Sequence, residues 1–172
     1  MTKSANISVE EKLAFLRDHL AYEREMLGHA FSQLHALPAG LAWNANYESF
    51  AVHARNLYDF LRNDGKQKNF KAFQFVPDWA PPKFLDQFNG LDPFVFHMGM
   101  ERGEATKLDL ATLGVLGTWL DQHWKAWVNR LPQPFSGEIA DSPVCPVLVM
   151  TGGATPQTAC TAVFATTLHI PS

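Results

Sequence analysis

Leucines recur every seven residues near the start of the chain, and this spacing constrains the fold more than any other feature. A seven-residue apolar repeat keeps one stripe of a helix turned towards a partner helix. Ser8 and Glu11 precede the repeat with the S-x-x-E spacing of a capping box, which predicts where the helix begins. Pro38 and Gly40 predict where it ends. The repeat consists of Leu13, Leu20, Leu27 and Leu34, and the partner seam of Leu16, Ala30 and Leu37.

One carboxylate interrupts the apolar seam of this first helix. Glu23 occupies the position between Leu16 and Ala30, where a neighbouring helix is expected to pack. An unpaired carboxylate facing other helices is strongly unfavourable, because it loses its hydration without compensation. Glu23 therefore predicts a cationic or hydrogen-bond-donating partner across the core.

Two further helices are predicted from apolar residues at 3.6-residue spacing. The second should begin near Asn44 or Asn46 and end at the Asn63-Asp64-Gly65 signal. Its stripe consists of Tyr47, Phe50, Ala54, Leu57, Tyr58 and Leu61. The last strong helix lies within residues 106–131 and is capped by Thr106 with Asp109. Its stripe consists of Leu113, Leu116, Leu120, Trp124, Trp127 and Leu131.

These patterns predict an all-α fold, a bundle of about four helices over residues 8–131, because long one-sided helices need partner surfaces. The additional helix would start near Pro93 and run through HMGMERGEA, weakened by two glycines. Residues 65–95 predict a long packed, aromatic-rich loop with one short helix around Lys83–Phe88. Residues 132–172 predict an irregular tail rich in Pro, Gly and Thr. Within this tail, VLVM and TAVFATTLHI flank TGGATPQ. The tail is therefore expected to form either a strand-turn-strand pair or a loosely packed appendage.

His53, Arg55 and Asn56 stand close together in the otherwise apolar second helix. At roughly 100° per residue, His53 falls on one flank of the stripe, Arg55 on the other, and Asn56 towards the back. His53 and Arg55 should therefore face different neighbouring helices. They are either boundary side chains that cover apolar surface, or part of a partly buried polar site. Such a site needs partners from other helices, namely Glu23, His97, Glu101 and Arg102.

The stretch NYESFAVHARNLYDFL, followed about forty residues later by FHMGMERGE, resembles a group of uncharacterised bacterial helical proteins. That group has an S-F-x-x-H-A-R-N-L element and a later His-Leu-Thr-x-x-Arg-like element. His97 and Arg102 match the second element, whereas its Leu-Thr pair is absent here. The group is similar in outline to HEPN domains, which are helical bundles that often dimerise and include metal-independent endoribonucleases.

The resemblance implies a helical bundle that acts through protein or RNA contacts without catalysis. The alternative is an endoribonuclease that uses Arg and His in a bundle or dimer cleft. The HEPN nuclease spacing, Arg-x4-His, occurs at Arg24 and His29, but in the first helix rather than late in the bundle. On the alternative, the catalytic candidates are His53, Arg55, His97 and Arg102, and the binding candidates are Glu23, Asn56 and Glu101.

Charge and the remaining motifs narrow the choice of partner. The chain has 14 basic and 17 acidic residues, a net charge of −3, which argues against general coating of nucleic acid. The stretch KQKNFKAFQF interleaves lysines with phenylalanines. This pattern is typical of proteins that bind single-stranded nucleic acid. The alternative is that the phenylalanine rings anchor a loop to the bundle while the lysines face water. His97 and Glu101 have the spacing of a helical metal site, so a metal-binding bundle is a second alternative. No cofactor is predicted.

The expected setting is the cytoplasm. The N-terminus MTKSANIS lacks the apolar core of a signal peptide, and no apolar run reaches the length of a membrane span. Cys145 and Cys160 are expected to be free thiols. A homodimer is also predicted, because the leucine repeat could serve a dimer interface instead of the intramolecular core.

Overall fold

Three long helices make up most of the described part of the chain. The computed structural model describes residues 7–64, 69–90 and 108–139. Helix α1 runs without interruption over residues 9–36, helix α2 is Leu41–Leu61, and helix α3 is Leu110–Val128. Two short 3₁₀ turns, Ala72–Gln74 and Asp86–Gly90, lie between α2 and α3. No strand occurs within the described ranges, so the all-α prediction is confirmed there, with three helices rather than four.

Helix α1 begins as the sequence predicts. The Glu11 backbone N–H donates to the Ser8 hydroxyl at 3.1 Å, and the Ser8 N–H donates to the Glu11 carboxylate at 2.8 Å. This reciprocal pair satisfies two of the backbone donors that a helix start leaves open. The helix consists of three segments: α-helical Val9–Ala14, π-helical Phe15–Leu20 and α-helical Ala21–Ala36. The π-helical segment was not predicted.

Replacing Ser8 tests the capping box. Ser8→Ala removes the acceptor of the Glu11 N–H, so we expect the free energy of unfolding to fall by about 1 kcal/mol in urea denaturation. Ser49→Ala is the matched control, because Ser49 lies inside α2 and alanine has the higher helix propensity. The control should unfold at the same urea concentration as the parent or a higher one. Equal losses in both variants would contradict the capping role.

Helix α2 ends at the predicted Asn63-Asp64-Gly65 signal, whereas the starts of α2 and α3 differ from the predicted starts. Helix α2 begins at Leu41, earlier than Asn44 or Asn46. Gly65 lies outside the described ranges. Asn63, which follows the last turn of α2, has a left-handed φ of 60°. Asparagine tolerates this conformation, and its side-chain oxygen accepts from the Phe73 N–H at 3.0 Å. Helix α3 begins at Leu110, since the Asp109 carboxylate itself caps it by accepting from the Thr112 N–H at 2.7 Å.

Helix α2 contacts both α1 and α3, and its predicted apolar stripe is buried. The predicted stripe of α3 is buried as well. The repeat of α1 points into the same core, because Leu20, Leu27 and Leu34 are each at most 2% exposed. The chain therefore uses these leucines for its own packing. The homodimer stays a prediction, and its interface would have to lie on a surface other than the leucine repeat.

The loop before α3 and the segment after it close the core. The Trp79 indole donates to the Leu61 carbonyl at 2.6 Å, and the Phe75 ring packs edge-on against Phe135 at 5.5 Å. Phe135 and Ile139 are buried, so the packed core continues through residue 139. In place of the predicted helix around Lys83–Phe88, the structure has the 3₁₀ turn Asp86–Gly90.

Several predictions concern residues outside the described ranges. They are the helix near Pro93, the strand pairing in the tail, and the state of Cys145 and Cys160. Within the described ranges, no helix combines the length and apolarity that crossing a bilayer requires.

Candidate functional site

The partner that Glu23 predicts is present, and it consists of two side chains of α2. His53 Nδ1 lies 2.6 Å from Glu23 Oε2, and the Asn56 side-chain amide donates to the same oxygen at 3.0 Å. The two residues are one helical turn apart, so both reach α1 from one side of α2. We call Glu23, His53 and Asn56 the polar cluster. It forms one polar contact between the two helices, and the Trp43 indole N–H, which donates to the Leu34 carbonyl at 3.1 Å, forms another.

Two of the three side chains of the polar cluster are largely buried. The His53 side chain is 10% exposed and that of Glu23 is 24% exposed. The Tyr22 ring packs edge-on against the imidazole, with centroids 5.6 Å apart. A hydrogen bond to a carboxylate is stronger in such a partly dry setting than in water. Asn56 is exposed, as its predicted position towards the back of α2 implies, yet its amide still reaches the carboxylate.

Arg55 does not join the polar cluster, which corrects the hypothesis that it converges with Glu23. Its Nε donates to the Asp59 carboxylate at 3.0 Å, one turn along α2. Its guanidinium carbon lies 5.9 Å from the centre of the Tyr58 ring, and that of Arg62 lies 5.6 Å from it. Burial raises the pKa of the Tyr58 phenol above its usual value. The two arginines thus cover an aromatic surface, as the boundary interpretation predicts.

The other candidates are separate from the polar cluster or lie outside the described ranges. His97, Glu101 and Arg102 fall in the part of the chain that the structure does not describe. Arg24 and His29 both lie in the regular α-helical part of α1. Five residues place them roughly 140° apart around the helix. They therefore do not form one face.

A cleft of about 390 Å³ adjoins the polar cluster, where α1, α2 and the start of the following loop meet. The Ala21 N–H bonds to the Leu16 carbonyl, five residues back, as in a π-helix. Phe15, His19 and Glu23 recur every four residues, and the wider π turn keeps all three on the wall of the cleft. The other lining residues are Leu20, Asn56, Asp59, Phe60, Asp64, Asn69 and Phe70.

Apart from His19, the ionisable side chains that line this cleft are acidic, and arginines outside the lining pair with two of them. Glu23, Asp59 and Asp64 contribute three carboxylates, and no Lys or Arg is among the described lining residues. Asp59 pairs with Arg55, and Asp64 accepts from the Arg62 Nε at 2.9 Å. Both hydrogen bonds of Glu23 end on Oε2, so within the described chain its Oε1 accepts none. The cleft therefore offers carboxylate oxygens beside aromatic rings.

Sequence reasoning found the polar cluster but missed most of the cleft. Phe15, His19, Asp59, Asp64 and Phe70 were not candidates, because it is tertiary packing that decides which side chains of α1, α2 and the loop face one another. The four-residue spacing of Phe15, His19 and Glu23 was the available clue. Among the described residues, no three His, Cys, Asp or Glu side chains are arranged to hold a metal ion.

Comparisons of the chain with protein-family models, with curated proteins and with solved structures gave no match.

Proposed function

We propose that the protein is a non-catalytic helical bundle of the HEPN-like type that acts by binding a protein partner. The acidic, aromatic cleft beside the polar cluster is its contact site. The observation that carries this proposal is the charge of the cleft: three carboxylates and no cationic side chain among the described lining residues. Such a surface attracts cationic groups and repels phosphates.

The pairing of the polar residues also favours binding over catalysis. A nuclease of the Arg and His type needs both side chains free to reach one phosphodiester group. Here His53 is engaged with Glu23, and Arg55 with Asp59 on another side of α2. The endoribonuclease alternative then rests on His97 and Arg102. As parts of the same proposal, the protein works in the cytoplasm and forms a homodimer through a surface other than the leucine repeat.

An RNA assay separates binding from catalysis. Purified protein is incubated with single-stranded and structured RNA, with and without EDTA, and products are resolved on denaturing gels. We expect no cleavage, and no retardation of either RNA at physiological salt, because the acidic cleft repels the phosphate backbone. The His53→Ala and His97→Ala variants are assayed in parallel.

Metal-independent cleavage that disappears in either histidine variant would overturn the proposal in favour of the endoribonuclease. RNA binding without cleavage would also overturn the assignment of a protein partner. Cleavage that persists in both variants and vanishes after further purification would identify a contaminating nuclease, and the proposal would stand.

A further inference from the structure

We infer that the cleft between α1 and α2 receives the side chain of a lysine or arginine carried by the partner protein. This inference rests on the proposed function and deepens it by naming the group that is recognised. It is carried by the shape of the cleft, the aromatic rings along one wall, and the carboxylates around them.

The size of the cleft matches one long side chain with its flanking backbone. At about 390 Å³ it lies near the lower end of the range for small-molecule pockets in proteins. It lies where three parts of the chain meet, which fixes its walls. The π-helical turn of α1 supplies three of its side chains, Phe15, His19 and Leu20. Single π turns inside α-helices occur frequently at functional sites.

The aromatic wall suits the methylene stem of a lysine or arginine. The Phe15 and Phe70 rings stack with centroids 4.2 Å apart, and Phe15 lies 5.9 Å from Phe60. Together they form a continuous apolar surface, against which the methylene groups of an incoming lysine or arginine can pack. Aromatic faces also attract a cationic head group that lies above them. An inorganic cation would make no use of such a wall.

The carboxylates suit the head group. Glu23 is held in place by His53 and Asn56 through Oε2, and Oε1 accepts no hydrogen bond within the described chain. Asp64 binds Arg62 through Oδ2 at the end of α2 and is half-exposed. An incoming ammonium or guanidinium group therefore meets acceptors that need no rearrangement, which lowers the cost of binding.

The inference is tested with a small probe and the full-length chain. The ¹⁵N-labelled protein is titrated with the peptide Ac-Gly-Gly-Lys-Gly-Gly-NH₂, and the side-chain amide signals of Asn56 and Asn69 are followed by NMR. Both amides line the cleft, so each reports on its occupancy. We expect saturable shifts with a dissociation constant on the order of 1 mM, as befits a single side chain. The same peptide with Nε-acetyl-lysine should produce no shifts.

Charge variants give the second readout. Glu23→Gln and Asp64→Asn should each weaken binding about fivefold, because each removes a charge near the head group. Glu25→Gln is the matched control, since Glu25 is exposed on the same helix and does not line the cleft. It should change the affinity by less than about twofold. Raising sodium chloride from 50 to 500 mM should weaken binding to the parent protein through screening.

The outcomes are distinct. Shifts with the acetylated peptide, or equal affinities in Glu23→Gln, Asp64→Asn and Glu25→Gln, would overturn the inference. So would saturation by spermidine at a concentration tenfold below that of the peptide, since the cleft would then serve a free polyamine.

Lys66 and Lys68 follow Asp64 in the sequence and lie outside the described ranges. Binding that appears only in the Lys66→Gln/Lys68→Gln variant would mean that the chain fills its own cleft, which would also overturn the inference. An absence of peptide binding together with no RNA cleavage would remove this inference and leave the proposed function standing. RNA cleavage that a histidine variant abolishes would remove the proposed function itself.

Discussion

Trp127→Ala should lower the free energy of unfolding by about 3–5 kcal/mol, the cost of truncating a fully buried tryptophan. Trp127 has no exposed surface. Its ring packs edge-on against Phe60 at 5.0 Å and against Phe75 at 5.9 Å. Its indole N–H donates to the Ala72 carbonyl at 3.3 Å. The substitution therefore leaves a cavity where α2, α3 and the loop meet, and it removes the donor of a loop carbonyl.

Urea denaturation followed by far-ultraviolet circular dichroism measures this loss. Phe73→Ala serves as the control, because Phe73 lies in the same loop but is 45% exposed. It should cost less than about 1 kcal/mol. Trp127→Phe should fall between the two, since it keeps an aromatic ring and loses the indole donor. A Trp127→Ala variant as stable as Phe73→Ala would mean that the loop does not pack on the helices in solution.

Glu23→Ala should lower the free energy of unfolding by about 1–3 kcal/mol, the range for leaving a buried polar group without its partner. The buried His53 loses the partner of its Nδ1 and has no other among the described contacts, whereas the exposed Asn56 amide can bond to water. Glu25→Ala is the control on the exposed side of the same helix and should change stability by about 0.5 kcal/mol or less.

A double-mutant cycle assigns the effect to the pair. Glu23→Ala and His53→Ala are measured singly and together by urea denaturation. Contacting residues in one hydrogen-bond network typically show coupling of about 0.5–3 kcal/mol. We expect coupling within that range, because the two side chains lie 2.6 Å apart. Strict additivity would show that the interaction between Glu23 and His53 contributes nothing to stability.

The helix boundaries show which structural features could be predicted from neighbouring residues in the sequence and which could not. Ser8 and Glu11 predicted the start of α1 correctly, because a capping box is formed by residues three positions apart. The Asn63-Asp64-Gly65 signal predicted the end of α2 correctly, and Asn63 adopts the left-handed conformation there. Asn63 is held there by a contact with Phe73, ten residues away, which no local rule includes.

The candidate site also has some features that the sequence predicted and others that it did not. Glu23 was expected to have a donor across the core, because a carboxylate in an apolar seam needs one, and the structure provides His53 and Asn56. The helical wheel separated His53 from Arg55 correctly, since both lie on one regular helix. It placed Asp59 one turn from Arg55, where the two side chains pair. It could not show that Asn56 would reach Glu23 from the back of α2, which depends on the packing of α1 against α2.

The sequence by itself determined the helical class, the apolar stripes and the need of Glu23 for a partner, because these follow from periodicity and from the cost of burying charge. Tertiary structure alone decided which side chains surround the cleft. Phe15 and His19 reach it through a π-helical turn, and Asp64 and Phe70 reach it through a loop. The four-residue spacing of Phe15, His19 and Glu23 places them on one face of α1. Which residues of α2 and the loop face them follows from the packing of the whole chain.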